Sequence, residues 1–144
     1  MLALALAACS KDPGTGQAPG VSDDTILIGS SSALTGHASF LGSQYTLGSK
    51  VWFEEVNAAG GIHGRRIEFL TYDDAYEPDI TVANSRRLIA GDRVFMLFDY
   101  VGTPTSVRII DMVHDEGIPA FCFLTGAETL RTPFRPDIFH VRAS

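Results

Sequence analysis

Five short apolar runs recur along the chain, and stretches with helical spacing separate most of them. The runs are rich in β-branched and aromatic residues and do not alternate with polar residues, so they predict strands that are buried on both faces. Strands that alternate with helices indicate right-handed βαβ units. The predicted fold class is therefore α/β, an open parallel sheet with helices on both faces. The five predicted strands are residues 25–29, 67–72, 94–98, 118–123 and 138–141.

The first predicted helix lies between the first two strands. It follows a polar, glycine-bearing loop over residues 30–42 and continues to Ala59. The glycine pair at residues 60–61 can take the left-handed conformation that ends a helix. Four apolar side chains at helical spacing are expected on the buried side of this helix: Leu47, Val51, Trp52 and Val56.

Two further helices are predicted. Pro78 fits the first turn of the second helix, where its missing N–H does no harm, and Gly91 ends that helix. A loop over residues 99–106 leads into the third helix, which ends at Gly117.

The composition narrows the classes of partner. Eleven basic residues against 17 acidic residues give a net charge of −6, which repels phosphate backbones and argues against nucleic acid as a partner. Hydrophobic residues make up 45% of the chain, enough for an ordinary buried core. No apolar run reaches the roughly 18 residues that a membrane-spanning helix needs.

The N-terminus resembles a processed bacterial leader. Residues 1–9 (MLALALAAC) have the length of part of a signal peptide, and the last four resemble a lipobox, in which the thiol of Cys9 carries a lipid. Residues 10–23 have the composition of a flexible tether. The alternative is that Cys9 is an ordinary residue in an apolar stub. The other cysteine, Cys122, lies between two phenylalanines and is predicted to be a buried, inert thiol.

Candidate ligand contacts lie in the loops that follow the strands. In an open parallel sheet, ligands bind at the carboxyl ends of the strands, where helix N-termini point N–H groups outward. Hydroxyl and N–H groups there can bind a carboxylate. The same hydroxyls can instead cap their own helices, and this alternative is strongest for Thr105 and Ser106. The candidate hydroxyl residues are Thr103, Thr105, Ser106 and Thr125.

Enzyme chemistry is not supported by the motifs. No glycine-rich phosphate loop and no nucleophile elbow occurs, and the four histidines lack metal-ligand spacing. Asp73 and Asp74 are interpreted as turn and capping acids, and His37 as a solvated loop residue. We therefore predict a binding protein with no catalytic residue, no metal and no cofactor.

Several stretches in this order resemble one family. They include LTG with FLG, NAAGGIHG, YDD, GTPTS, EGIP and TGAETLR with FHVRAS. Together they resemble the branched-chain amino-acid binding proteins, the type I periplasmic substrate-binding proteins of ABC transporters. The resemblance runs from residue 24 to residue 144 and implies an incomplete N-terminal lobe of a longer, two-lobed protein.

This resemblance implies a receptor that closes on a small amino acid or a related carboxylate or amide and delivers it to an ABC transporter permease. It implies a periplasmic or cell-surface location, with the membrane contacted only through a lipid on Cys9. The alternative is the ligand-sensing ectodomain of a signalling receptor with the same fold, and the lipobox favours the importer.

The resemblance also implies ligand contacts by position. The first loop would place Phe40 or Leu41 at the ligand. Leu41 matches a tyrosine of the best-known members and cannot donate a hydrogen bond, so the ligand need not be leucine, isoleucine or valine. The loops after the third and fourth strands would hold the carboxylate through Thr103, Thr105, Ser106, Thr125 and Gly126, with Tyr100 beside them.

Overall fold

A five-stranded parallel sheet forms the centre of the protein. The computed structural model describes residues 18–144, so the leader and Cys9 lie outside the described residues. The strand order is β2-β1-β3-β4-β5, and every neighbouring pair is parallel. This confirms the predicted fold class. The strands are β1 (Thr25–Ser32), β2 (Arg66–Asp73), β3 (Met96–Phe98), β4 (Ala120–Phe121) and β5 (Ile138–Phe139).

Three helices cover the sheet unequally. They are α1 (Ser39–Ala58), α2 (Pro78–Arg86) and α3 (Thr103–Asp115). The chain passes from β2 back across β1 to β3, and right-handed crossovers then place α1 on one face and the other two helices on the opposite face. We call these the α1 face and the α2–α3 face. A π-helical turn (Arg87–Gly91) extends α2, and a 3-10 turn (Glu128–Leu130) precedes β5.

The α2–α3 face holds the hydrophobic core. The hydroxyls of Tyr100 and Ser85 are 2.9 Å apart, so the one large polar side chain in this core has a partner. Fully buried side chains from both helices meet the sheet here: Leu88, Val94, Leu97, Ile109, Val113 and Phe123.

The prediction for the buried side of α1 is wrong. Leu47, Val51 and Trp52 are 52%, 53% and 67% exposed, and Val56 is half-buried. The helix instead turns another stripe of residues to the sheet, in which Gly42 and Thr46 are buried and Tyr45, Ser49 and Phe53 are half-buried.

Close packing at one glycine explains that choice of face. A Cβ added at Gly42 would overlap the carbonyl oxygen of Ala33, so the helix backbone touches the chain just after β1. A larger side chain at residue 42 would hold this part of the helix away from the sheet. Helix α1 therefore comes closest to the sheet at Gly42, and further along the helix the ring of Phe53 packs against Phe69 and Phe98 of the sheet.

Several boundaries differ from the predicted ones. Strand β1 continues to Ser32, because its three serines pair with residues 71–73 of β2 and are fully buried. Helix α3 begins at Thr103 and not after residue 106. The end of the predicted tether is also folded: the N–H of Leu27 donates to the carbonyl of Gly20, and Arg65 Nε donates to the carbonyl of Ser22 at 2.7 Å.

Candidate ligand-binding edge

Asp73 holds the loop after β1 in place. Its carboxylate accepts the N–H groups of Leu34 (2.9 Å), Thr35 (3.1 Å) and Ala75 (2.9 Å), and also the hydroxyl of Thr35. Partial burial acts to raise the pKa of Asp73, but these hydrogen bonds outweigh it and leave the pKa below its ordinary value. The loop is thus fixed by a charged acceptor at the end of the neighbouring strand.

Asp74 has an equally structural role beneath the edge. It is fully buried, and its carboxylate accepts hydrogen bonds from the hydroxyls of Ser31 (2.8 Å) and Thr81 (2.9 Å) and from the N–H of Tyr76 (2.9 Å). Both acids are therefore turn acids, as predicted. Within residues 18–144, no group of three His, Cys, Asp or Glu side chains is arranged to hold a metal ion.

A pair of threonine hydroxyls lies where β3 and β4 end. Thr103 Oγ1 and Thr125 Oγ1 are 2.7 Å apart, and the latter also accepts the N–H of Ala127 at 3.1 Å. Thr103 is exposed and opens helix α3, whereas Thr125 is almost fully buried. The first turn of a helix has N–H groups without intrahelical partners. Because Pro104 has no N–H group, the free N–H groups at the start of α3 are those of Thr103 and Thr105.

Three of the predicted contacts have buried side chains. Tyr100 belongs to the core, since its side chain is fully buried and its hydroxyl bonds to Ser85. The Thr105 hydroxyl donates to the carbonyls of Val101 and Gly102, and the side chain is fully buried. Ser106 is also fully buried. Thr105 and Ser106 do not reach the edge, because helix α3 starts earlier than the sequence indicated and turns them inward. Tyr100 precedes the helix and packs in the core against Phe123.

The other predicted contacts are accessible. Phe40 and Leu41 lie in the first turn of α1, where they are 81% and 49% exposed. Gly126 is half-buried and follows Thr125 directly. The structure thus brings Thr103, Thr125 and Gly126 to one edge and leaves two apolar side chains free at the start of α1.

Sequence reasoning missed one aromatic residue at this edge. Tyr76 packs edge-on against His37, with ring centroids 5.1 Å apart. A side chain at Gly102, which has φ 98°, would overlap the ring of Tyr76. The only signal in the sequence was that tyrosine lies in a loop after a strand, which by itself does not indicate contact with the glycine before α3.

A neighbouring depression is less suited to an anion. It lies between the starts of α2 and α3 and has a volume of about 530 Å³. Glu77 and Asp79 line it beside Thr103, and Arg108 donates to Asp79 at 2.7 Å. Because two carboxylates border this depression and its one arginine is already paired, a carboxylate ligand is better placed on the Thr125 side of Thr103.

The thiol of Cys122 does not suit nucleophilic chemistry. Burial, together with the nearby carboxylate of Asp99, raises the pKa of Cys122 to about 11. The side chain is half-buried, less than we expected, and at neutral pH it is a protonated thiol. The arrangement as a whole offers hydrogen-bond donors and shape, which are the means of binding.

Comparison with known proteins identifies the family of the chain. The sequence profile of the periplasmic binding protein family matches residues 25–144. The chain belongs to the periplasmic binding protein family. The five-stranded parallel sheet with helices on both faces is the type I fold of that family, of which these residues form a part. Its members are substrate-binding proteins and not enzymes.

Individual relatives show the same likeness. An amino acid binding protein of Pseudomonas aeruginosa is 32% identical over 95 residues, which are 66% of this chain and 25% of that protein. A possible leucine/isoleucine/valine-binding protein from Rhodopirellula baltica is 32% identical, with a TM-score of 0.73 over 76% of this chain and 30% of that one. A fatty acid ABC transporter substrate-binding protein from Thermomonospora curvata is 30% identical, with a TM-score of 0.66 over 73% of this chain and 26% of that one.

The chain therefore spans between a quarter and a third of the length of these relatives. Among its described helices, none has the length and apolar character needed to cross a bilayer.

Proposed function

We propose that this chain supplies one side of a solute-binding site of an ABC importer, and that the ligand group it holds is a carboxylate. The observation that carries the proposal is the hydroxyl pair of Thr103 and Thr125. It joins the ends of two neighbouring strands at the first turn of α3, where the helix dipole favours negative charge.

The chemistry of the relatives supports a carboxylate. Amino acids and fatty acids differ in size and in the ammonium group, but both end in a carboxylate. A carboxylate needs several donors, and this edge offers the one O–H donor that the hydroxyl pair leaves free, together with the N–H groups of Thr103, Thr105 and Gly126. We propose a small amino acid or a related carboxylate or amide as the ligand, with Phe40 and Leu41 against its apolar part.

The hydroxyl pair can be tested by amide NMR on the complete chain. Titration with sodium acetate and then with L-leucine is expected to shift the amide signals of Thr103, Thr125 and Gly126 in a saturable way. The double variant Thr103→Val, Thr125→Val keeps the side-chain shape and removes both hydroxyls. We expect it to weaken binding by about tenfold or more, since hydrogen bonds to a charged group contribute about 1.5–3 kcal/mol.

Thr129→Val is the matched control, because Thr129 is exposed in the 3-10 turn that precedes β5. It should bind as the unaltered chain does. Equal binding by the double variant would refute the assignment of the hydroxyl pair.

We further propose a periplasmic or cell-surface location, with a lipid on Cys9 and residues 10–17 as the start of a tether. Support comes from the lipobox-like sequence and from the family to which the chain belongs. The test is a Cys9→Ser variant expressed behind a complete bacterial signal sequence. The unaltered chain should fractionate with membranes and the variant with the soluble periplasmic fraction, and membrane association of both would contradict a lipid anchor.

A further inference from the structure

A groove opens on the α1 face, away from the threonine pair. It runs between α1 and the ends of β3 and β4 and has a volume of about 310 Å³. Asp99 and Cys122, the residues that follow β3 and β4, lie at its sheet side. Its helix side is formed by the second to fourth turns of α1, and its walls are Gln44, Tyr45, Ser49, Trp52, Phe53 and Phe98.

Asp99 is the unusual member of this lining. Its side chain is fully buried, and neither carboxylate oxygen has a hydrogen-bond partner within residues 18–144. Burial raises the pKa of Asp99 to about 7, and the hydroxyls of Ser49 and Thr46, which lie near the carboxylate without forming a hydrogen bond to it, oppose the rise. Thr46 Oγ1 is likewise buried and without a partner. Three polar atoms thus lie together under α1 with their hydrogen-bonding capacity unused.

The fold itself does not require an acid at this position. The backbone N–H of Asp99 donates to the carbonyl of Phe121, an interaction that is independent of the side chain. A buried carboxyl group without a partner is costly, by several kcal/mol in apolar surroundings. Such a group is expected to have a partner in the functional state.

The walls of the groove indicate what kind of partner fits. Tyr45, Trp52, Phe53 and Phe98 present aromatic rings, and Trp52 is 67% exposed. Aromatic faces attract cations and pack well against aliphatic chains. The hydroxyl of Tyr45 donates to the carbonyl of Cys122 at 2.9 Å, which fixes that ring at the side of the groove.

We propose that this groove binds a primary ammonium group on an aliphatic stem, with the ammonium on the Asp99 carboxylate and the stem between the aromatic side chains. An ammonium has three N–H donors, and the lining offers three oxygen acceptors for them, two on Asp99 and one on Ser49. Calcium and magnesium need several oxygen ligands at once, commonly with more than one carboxylate, and the groove offers a single carboxylate. The planar, five-donor fork of a guanidinium needs more acceptors than this groove, with its single carboxylate, provides.

Two sources carry this chemistry: a lysine side chain of a polypeptide segment that packs on the α1 face, and a free alkylamine. The test uses n-butylammonium chloride for the free amine, and acetyl-lysine methylamide for a lysine within a peptide chain. Each is titrated into the complete chain, and binding is followed by the fluorescence of Trp52, the only tryptophan, and by the carboxyl carbon signal of Asp99.

Both probes should bind saturably if the site accepts lysine side chains, and n-butylammonium alone should bind if it accepts only free amines. Binding should move the carboxyl titration of Asp99 to lower pH, because an adjacent ammonium favours the charged carboxylate. Absence of saturable binding by both probes at pH 8 overturns the proposal.

The decisive variant is Asp99→Asn. Asparagine keeps the size of the side chain and tolerates the left-handed backbone found here, φ 68°. We expect a loss of affinity of about tenfold or more. n-Butanol, which has the stem without the charge, should bind equally weakly to both forms.

Asp111→Asn is the matched control, since Asp111 is an exposed acid on α3, on the opposite face. It should leave n-butylammonium binding unchanged. An equal loss of affinity in both variants would show that only general charge attraction is at work.

Trp52→Leu provides a second route if Asp99→Asn fails to fold. Binding of the amine is then followed by the carboxyl carbon signal of Asp99 and should weaken several-fold. Unchanged affinity would contradict the role of the aromatic walls.

Discussion

The two faces of the sheet differ in how helices cover them and in how their buried polar groups are bonded. The α2–α3 face is closed by two helices, and Tyr100 there is paired with Ser85 and Thr81 with Asp74, although the buried hydroxyl of Ser106 has no partner within the described residues. The α1 face has one helix, which meets the sheet through Gly42, Thr46 and Phe53 and leaves Trp52 exposed.

Polar atoms without partners are concentrated on that α1 side. Within the described residues, Thr46 Oγ1 and both carboxylate oxygens of Asp99 are buried and unbonded. Parallel sheets are normally covered on both faces. Stability therefore resides mainly on the α2–α3 face, while the α1 face carries polar groups, those of Thr46 and Asp99, that could bind a partner.

The largest expected difference between the faces is in apolar packing. Leu97→Ala removes a fully buried side chain from the α2–α3 face and should lower the free energy of unfolding by about 2–5 kcal/mol. Leu47→Ala removes a side chain on α1 that is 52% exposed, and should cost under about 1 kcal/mol. Denaturant unfolding of both variants measures the contrast, and equal losses would mean that α1 is buried through the side we describe as exposed.

Dependence of stability on pH should come largely from Asp99. Its pKa is raised from the ordinary 3.8 to about 7 in the folded chain, so the folded state binds this proton more tightly than the unfolded state. Its contribution is fully present below about pH 4 and is lost as the pH rises through 7. A rise in the pKa of Asp99 from 3.8 to about 7 corresponds to a change of as much as about 4 kcal/mol in the free energy of unfolding.

Asp99→Asn should abolish most of that slope in unfolding curves measured from pH 4 to pH 8. Asp74, a buried acid on the other face that accepts hydrogen bonds from Ser31 and Thr81, is the comparison: Asp74→Asn should leave the pH slope in place. A slope that persists in Asp99→Asn would assign the pH dependence to another group.

Two glycines of α1 should respond in opposite directions to the same substitution. Gly42→Ala places a Cβ against the Ala33 carbonyl and should destabilise the chain by about 1–3 kcal/mol. Gly48→Ala, in the same helix, meets nothing within 4 Å and should stabilise it by about 0.5–1 kcal/mol. Thermal unfolding distinguishes the two, and a neutral Gly42→Ala would show that α1 can move away from the sheet without loss.

The smallest contrast compares one buried hydroxyl on each face. Thr81→Val deletes a donor to Asp74, 2.9 Å away, and should cost about 1–2 kcal/mol. Thr46→Val deletes a hydroxyl with no partner and should be neutral or slightly stabilising. Similar losses for the two variants would indicate that Thr46 is bonded in solution, by water for example.

The sequence predicted the class of fold because buried parallel strands leave a local signature. Continuous apolar runs such as residues 94–98, bounded by turns and loops, need no knowledge of distant contacts. The turn roles of Asp73 and Asp74 were predicted for a similar reason, since both follow a strand directly. The family resemblance, carried by motifs such as NAAGGIHG, is confirmed by the match over residues 25–144.

Orientation within the elements was less predictable. Helix α1 has apolar residues on more than one side, so periodicity alone favoured Leu47, Val51 and Trp52 as the buried set. The close approach of Gly42 to Ala33 decided otherwise, and that contact joins the helix to the end of a strand. Tyr100 was misplaced because a loop residue in the sequence proved to be a core residue in space.

The amino-acid sequence by itself determined the order of strands and helices, the acidic balance and the hydroxyl-rich loops, because each depends on residues that are neighbours in the chain. Only the tertiary structure decided which of those hydroxyls remain accessible, which side of α1 meets the sheet, and that Asp99 is buried without a partner. These outcomes depend on how segments distant in sequence pack together, and packing allows one arrangement where local preference allows several.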